Sequence, residues 1–429
     1  MRPPVTARLL QPRLNFYYGW VVLGCVCLAG FARQGPAVAV LSIFVTPMTQ
    51  EFGWSRTAIS GAVSLGGVLA AIVSPVLGPV LDRSGARLVL CLAVLGTGLA
   101  SLGLSFTQSL AMFYVLFCFS RMIWAGPFDL GLYGAVNNWF VAHRARATSI
   151  ATVAQLMGLV ALPLIAQIAM RDSDWHGGGW RAGWLAIGTT VLVVGFLPSW
   201  LLLVRRPEDV GLVPDRLAVP GAAAAKPEPR FTRAQAMRTP AFWLLSLYTV
   251  LVYPVQAGVS LHQAPHLIEQ GLAPMQAATV ISFFSVMSAL ASFSIAFLPR
   301  RWPVRYAMAL AAASMAAGTV ILAGVTTLPG ACLGGGLFGM GIGGVLTLLP
   351  IAWADYFGRE SYGAIRGVAL SMQVLAQATG PIMSGALRDW SGNYTWSLSV
   401  FATLATLAAC AALAARQAQA GGQAAHAGS

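Results

Sequence analysis

Twelve largely apolar stretches, each long enough to cross the hydrocarbon core of a bilayer as a helix of about 20 residues, constrain this chain more than any other feature. They run over 17–44, 57–81, 86–106, 109–139, 146–170, 182–204, 241–265, 275–298, 304–327, 330–353, 365–387 and 393–415. A water-facing surface needs roughly 25% charged residues, whereas this chain has 9%, with 57% hydrophobic. A lipid-facing surface removes that contradiction. The expected fold class is an all-α membrane protein of twelve transmembrane helices. The thinnest division lies between the third and fourth stretches, where only 107–109 interrupt the apolar pattern.

The net charge of +13 could point to nucleic acid or to a membrane, and its placement decides. If both termini are cytoplasmic, only Arg56, Arg171, Arg181 and Arg388 fall in outer loops. Arg33 and Arg121 lie inside apolar stretches, and every other basic residue faces the cytoplasm. That asymmetry is the positive-inside pattern, so a multi-pass protein with cytoplasmic termini and no nucleic-acid partner is expected. The six cysteines (Cys25, Cys27, Cys91, Cys118, Cys332 and Cys410) all lie inside stretches, which implies no disulfide framework. Cys25 and Cys27 are two apart and do not face each other on a helix, so no metal site is expected. The first stretch is too long for a signal peptide and has no clear small-residue cleavage site, so it should remain as a span.

The stretches divide six and six about the polar segment 205–240, rich in Pro, Ala and Arg. Trp139-Phe140 and Tyr356-Phe357, Arg171-Asp172 and Arg388-Asp389, and Arg83 and Arg300 are related by one constant offset. The domains are therefore expected at 1–204, an N-terminal six-helix bundle, and 241–415, its pseudo-symmetric C-terminal counterpart. Residues 205–240 form a cytoplasmic linker with a short amphipathic piece at 231–237, and 416–429 a disordered tail. Parallel six-helix halves are a transporter architecture with a site near mid-membrane.

The motif Gly78-Pro79-Val80-Leu81-Asp82-Arg83-Ser84-Gly85-Ala86-Arg87 resembles the loop between the second and third helices of the major facilitator superfamily. Gly78 and Gly85 permit close approach and a tight turn, and Asp82, Arg83 and Arg87 can form ion pairs that gate one conformation. The second-half counterpart, Arg300-Arg301-Trp302-Pro303-Val304-Arg305, has neither the acid nor the glycines. Tyr18-Gly19-Trp20, Asn138-Trp139-Phe140 with Arg144 and Arg146, and Asp355-Tyr356-Phe357-Gly358-Arg359 with Gly363-Ala364-Ile365-Arg366-Gly367 are similar to the bacterial monocarboxylate and oxalate/formate branch. That resemblance implies the major facilitator fold, a bacterial inner membrane and a carboxylate substrate. The sequence departs from the branch in that 279–298 carries no charge and 368–387 no Lys.

Ionisable side chains at mid-membrane are costly and are functional candidates by default. Arg33, Arg121 and Asp129 qualify. Arg121 sits about 18 Å along its helix from Ser109, and Asp129 lies beyond it. Pro127, between them, removes a helix hydrogen bond, so a local break is expected there. An arginine fork matches a carboxylate, which makes Arg33 and Arg121 candidate substrate ligands; the alternative is a purely structural pairing. Asp129 is the only deep acid, a proton-coupling candidate or else a fixed counter-ion for Arg121. Two arginines against one aspartate leave a net positive site that one monoanion would neutralise.

The second half supplies polarity without charge. Thr249, Tyr253, Gln256, Ser260 and Gln263 follow helical spacing, as do Gln373, Gln377 and Ser384. These stripes either line a cavity or bond helices together. With Tyr133, the candidates Tyr253, Gln256, Gln373 and Gln377 complete the expected binding set. Gly339-Met340-Gly341-Ile342-Gly343-Gly344 satisfies a dinucleotide pattern but lies inside an apolar stretch without a preceding strand. Gly335, Gly339 and Gly343, four apart, imply close helix packing instead.

The expectation is a monomeric secondary carrier for a small organic anion, working by alternating access with proton symport or counter-anion exchange, and using no cofactor. No nucleophile–base arrangement supports an enzyme. The alternatives are an exporter of amphipathic or drug-like compounds, suited by Trp124, Phe128 and Tyr133, and a non-transporting membrane receptor.

Overall fold

The computed structural model describes residues 4–171, 179–215, 229–298 and 302–417. The expected tail beyond 417, the middle of the linker at 216–228, Asp172, and Arg300-Arg301 lie outside these residues. Contacts divide the chain into two compact units: Met1–Lys226 with Arg366–Ser371, and Pro227–Ile365 with Met372–Ser429.

Unit 1 holds α1 (Val5–Leu10), α2 (Gly19–Arg33), α3 (Val38–Phe52), α4 (Arg56–Ser84), α5 (Ala86–Leu104), α6 (Leu110–Ala125), α7 (Pro127–Trp139), α8 (Arg144–Arg171), α9 (Gly179–Thr190) and α10 (Leu197–Leu202). Unit 2 holds α11 (Arg233–Met237), α12 (Pro240–Glu269), α13 (Pro274–Ser294), α14 (Val304–Gly324), α15 (Leu328–Phe357), most of α16 (Tyr362–Ser391) and α17 (Thr395–Ala414). Among the described residues, ten helical runs are long and apolar enough to cross a membrane. The first and eleventh expected spans are not among them. The first is broken at 34–37, where Gly35 and Pro36 end α2 after 15 residues. The eleventh, α16, is 30 residues long but is diluted by Ser371, Gln373, Gln377 and Thr379.

Local chemistry sets the boundaries. Ser109 caps α6 by accepting from Met112 N at 3.2 Å, which makes 107–109 a true interruption. Pro127 ends α6, and Gly126 takes φ −106° and ψ −84°. The fourth span is thus two helices meeting at the expected break. Val191–Phe196 is a π-helical turn between α9 and α10.

The linker's first part is strapped to unit 1. The Asp215 carboxylate accepts the backbone N–H groups of Val141, Ala142 and His143 at 2.6, 2.7 and 2.7 Å, ahead of α8. The Tyr17 hydroxyl lies 3.1 Å from both the Trp139 and the Val213 carbonyl oxygens, which share its one proton. In unit 2, Phe231 N donates to the Phe357 carbonyl at 3.3 Å, and the piece expected at 231–237 is the capped helix α11.

Beyond the expected first span, Glu51 at the end of α3 pins the start of α9. It accepts from Trp180 Nε1 at 2.6 Å and from both terminal nitrogens of Arg181 at 2.8 and 2.6 Å. The Arg181 hydrogen bonds hold the Glu51 carboxyl below its ordinary value, with Trp180 adding to the effect. A depressed carboxyl pKa contributes stability that is present above the ordinary glutamate range and lost as pH falls through the folded value. Glu51→Gln should therefore lower the melting temperature at neutral pH, and the gap should close below about pH 4. A gap that does not change with pH would sink this assignment.

Candidate functional site

The arginine that ends α2 is the organising cation of unit 1. Arg33 Nε donates to the Trp124 carbonyl at 3.0 Å, at the α6–α7 break. Its Nη1 donates to Gln155 Oε1 on α8 at 2.8 Å, and its Nη2 lies 3.8 Å from Asp129 Oδ2 on α7. Gly30 makes room for this: a Cβ there would come within 2.8 Å of Gln155 Cγ. Gln155 Nε2 in turn donates to the Tyr133 hydroxyl at 3.2 Å. Every nitrogen of the Arg33 guanidinium therefore has a partner within the protein.

Arg121 differs. Its Nε and Nη1 are buried with no hydrogen-bond partner. Its guanidinium lies 3.8 Å from the Trp124 ring centroid, and that of Arg33 lies 4.8 Å from the same ring. A cation over an indole face recovers part of the lost hydration but leaves the N–H donors unused. Gly66 creates the space for its stem, because a Cβ there would stand 2.6 Å from Arg121 Cβ. Trp124 Nε1 is turned toward Gln34 Oε1 at 3.4 Å.

Asp129 is 6% exposed and stands in the first turn of α7, where the helix N-terminus favours a negative charge. Its partners are Arg33 and, through Oδ1 at 3.3 Å, Arg366. In the alternative in which Asp129 is a fixed counter-ion, the cations beside it are Arg33 and Arg366 rather than Arg121. Arg366 was not among the expected site residues, since a basic residue at the start of a span reads as positive-inside charge. Gln155 and Gln34 were missed too; an amide inside an apolar stretch was the available signal for Gln155.

The motif expected to gate lies across the α4–α5 turn. Gly85 has φ +82°, and a Cβ there would collide with the Arg205 side chain. Arg87 Nη2 donates to the Trp200 carbonyl at 3.0 Å, Arg206 reaches the Asp82 carbonyl at 3.3 Å, and Arg83 closes the last turn of α4. Gly78 faces Gly367.

In unit 2, Gln377 Nε2 donates to Gln256 Oε1 at 3.0 Å, which brings two of the expected binding residues together across α12 and α16. Tyr253 and Gln373 are buried. Other members of the stripes serve helix bonding: Thr249 donates to the Leu245 carbonyl of its own helix at 2.7 Å, and Ser384 pairs with Ser397 on α17 at 2.8 Å.

The match to the Major Facilitator Superfamily runs over residues 22–381. Membrane sensor protein UhpC of Escherichia coli is 29% identical over 196 residues, which covers 43% of this chain and 42% of that protein. Human monocarboxylate transporter 11 is 25% identical over 423 residues, covering 94% and 84%. The solved structure of the proton:xylose symporter XylE superposes with a TM-score of 0.73 at 15% identity, covering 94% of this chain and 97% of that one. At that identity the likeness speaks for the fold, twelve transmembrane helices in two six-helix bundles. On the extent of the family match, the chain belongs to the Major Facilitator Superfamily, a family of multi-pass membrane proteins.

Proposed function

We propose that this protein is a secondary active transporter of a small organic anion, a carboxylate, working by alternating access. Both termini are cytoplasmic in a bacterial inner membrane, the orientation the basic loops require. One observation carries the reading: Arg121 Nε and Nη1 are buried without a hydrogen-bond partner, on a guanidinium whose planar donors suit a carboxylate. Arg33, with its nitrogens all engaged, positions the site. Asp129 is the proton-coupling group. Within unit 2, Tyr253, Gln256, Gln373 and Gln377 are the neutral polar candidates for substrate binding. The similarity to a monocarboxylate transporter along most of the chain supports the substrate class.

The test is uptake of labelled small carboxylates into proteoliposomes, with and without an inward proton gradient. Arg121→Gln should weaken apparent affinity by about 10- to 100-fold, the size of a lost charge-assisted bond. A gradient response separates symport from exchange. Uptake indifferent to Arg121 would defeat the reading and favour an exporter of amphipathic compounds. The similarity to a membrane sensor protein supports a second reading, a receptor, which would bind carboxylate but give no counterflow.

A further inference from the structure

Two consecutive residues at the end of α2 hold Trp124 from both sides. Arg33 Nε donates to the Trp124 carbonyl at 3.0 Å, which fixes the main chain at the end of α6. Gln34 Oε1 accepts from Trp124 Nε1 at 3.4 Å, which fixes the edge of the indole. Gln34 is buried and is the first residue past α2. Its carbonyl accepts from Ala37 N at 3.0 Å, so the turn through Gly35 and Pro36 closes on it. Gly35 seats that turn: a Cβ there would lie 3.3 Å from Ile187 Cγ2 and 3.4 Å from Val191 Cγ2, at α9 and the π-helical turn. The break in the first span thus places an amide oxygen at the indole edge.

An aromatic ring attracts a cation over its face and repels it at its rim, because the quadrupole is negative above the plane and positive around it. Trp124 is half-buried, and turning it about its side-chain bonds would bring the rim toward Arg121. The hydrogen bond to Gln34 opposes that rotation. With the face presented, the Arg121 guanidinium lies 3.8 Å from the ring centroid, and Nε and Nη1 are buried without a hydrogen-bond partner. The ring stabilises the charge without consuming those donors. A carbonyl or a carboxylate in its place would consume them.

We infer that Gln34 is a positioning residue for substrate capture: through Trp124 Nε1 it fixes the indole whose face holds Arg121 with its donors unspent. This rests on the reading of Arg121 as the carboxylate ligand. Gln34 touches no substrate in this role, and its effect on binding passes entirely through Trp124 and Arg121.

Uptake kinetics of the full-length protein in proteoliposomes test the chain of contacts, with labelled acetate, lactate and benzoate as probes. Gln34→Met keeps the length of the side chain and removes the acceptor; Trp124→Phe keeps a ring face and removes the N–H. Each should raise KM by about 3- to 10-fold, the size of one lost hydrogen bond, with the maximal rate unchanged, as for an interaction lost from binding alone. Gln34→Met should add nothing in the Trp124→Phe background, and neither change should raise KM further in the Arg121→Gln background. A Gln34→Met effect that persists in either background, or that falls on the maximal rate alone, overturns the inference, as does an unchanged KM. If Arg121→Gln raises KM while Gln34→Met does not, this inference alone fails. If no probe is taken up, or uptake ignores Arg121, the carboxylate reading fails and carries this inference with it.

Discussion

Arg33→Met is expected to melt on the order of 5–10 °C below the parent protein and to lose transport, while Arg121→Gln transports with the weakened apparent affinity given above and melts at or above the parent temperature. The two arginines share one indole and differ in what their nitrogens do. Arg33 joins α2 to the α6–α7 break, to α8 and to α7 through the Trp124 carbonyl, Gln155 and Asp129. Its removal leaves a buried carbonyl and a buried amide oxygen short of a donor and Asp129 with one cation fewer. Breaking a buried ion pair from one side costs about 3–5 kcal/mol. Arg121 makes no such bonds through Nε and Nη1, so a neutral amide there relieves a desolvated charge and gives up nothing structural beyond its contact with Trp124. Arg33→Lys should fall between, because an ammonium keeps the charge but lacks the planar fork. Melting curves and uptake measured on the same preparations decide the matter. Equal melting of Arg33→Met and the parent would remove Arg33 from the scaffold.

The spans were legible because bilayer thickness fixes the length of an apolar run, and the break in the fourth was legible because Pro127 cannot donate. The break in the first could have been read from Gly35-Pro36 in the same way, but the apolar run continues across it and masks the signal. Arg121 and Asp129 stood out as charges in hydrocarbon. Their partners did not, because the contacts join residues far apart in the chain: Gln155 lies on α8 and Arg366 on α16. Arg366 was hidden for a second reason. Near the start of a span, an arginine that pairs with a buried acid and one that merely stays in the cytoplasm leave the same mark in the sequence. Polar stripes were ambiguous in kind, and the structure divides them: Gln256 and Gln377 bond each other across α12 and α16, Ser384 bonds Ser397 of α17, and Thr249 bonds within its own helix.

Gly343→Val is expected to prevent assembly of unit 2, with folded protein in membranes falling by about tenfold or more. In lipid there is no hydrophobic gain from pairing two helices, so close packing and interhelix hydrogen bonds must supply it. The pairing of α15 with α13 depends on three glycines in register with three residues of the facing helix. Gly335 lies opposite Val280, where a Cβ would come within 2.8 Å of a side-chain methyl. At Gly339 and Gly343 a Cβ would meet the backbone carbonyls of Phe284 and Ser288 directly. A side chain can swing aside, but a carbonyl in a helix cannot, so the whole of α13 must retreat. That retreat would also break the bond from Ser292 Oγ to the Gly343 carbonyl at 3.1 Å. Even Gly343→Ala should be harmful, since the offending atom is Cβ itself. Gly385→Ala in α16 is the control. A methyl added at Gly385 would meet nothing within 4 Å, and a mid-helix Gly-to-Ala change favours the helix by up to about 1 kcal/mol. Membrane expression and size-exclusion profiles of the three variants give the comparison. Gly343→Ala behaving like Gly385→Ala would mean that α13 and α15 do not cross at these glycines, and the close packing implied by their four-residue spacing would then need another partner.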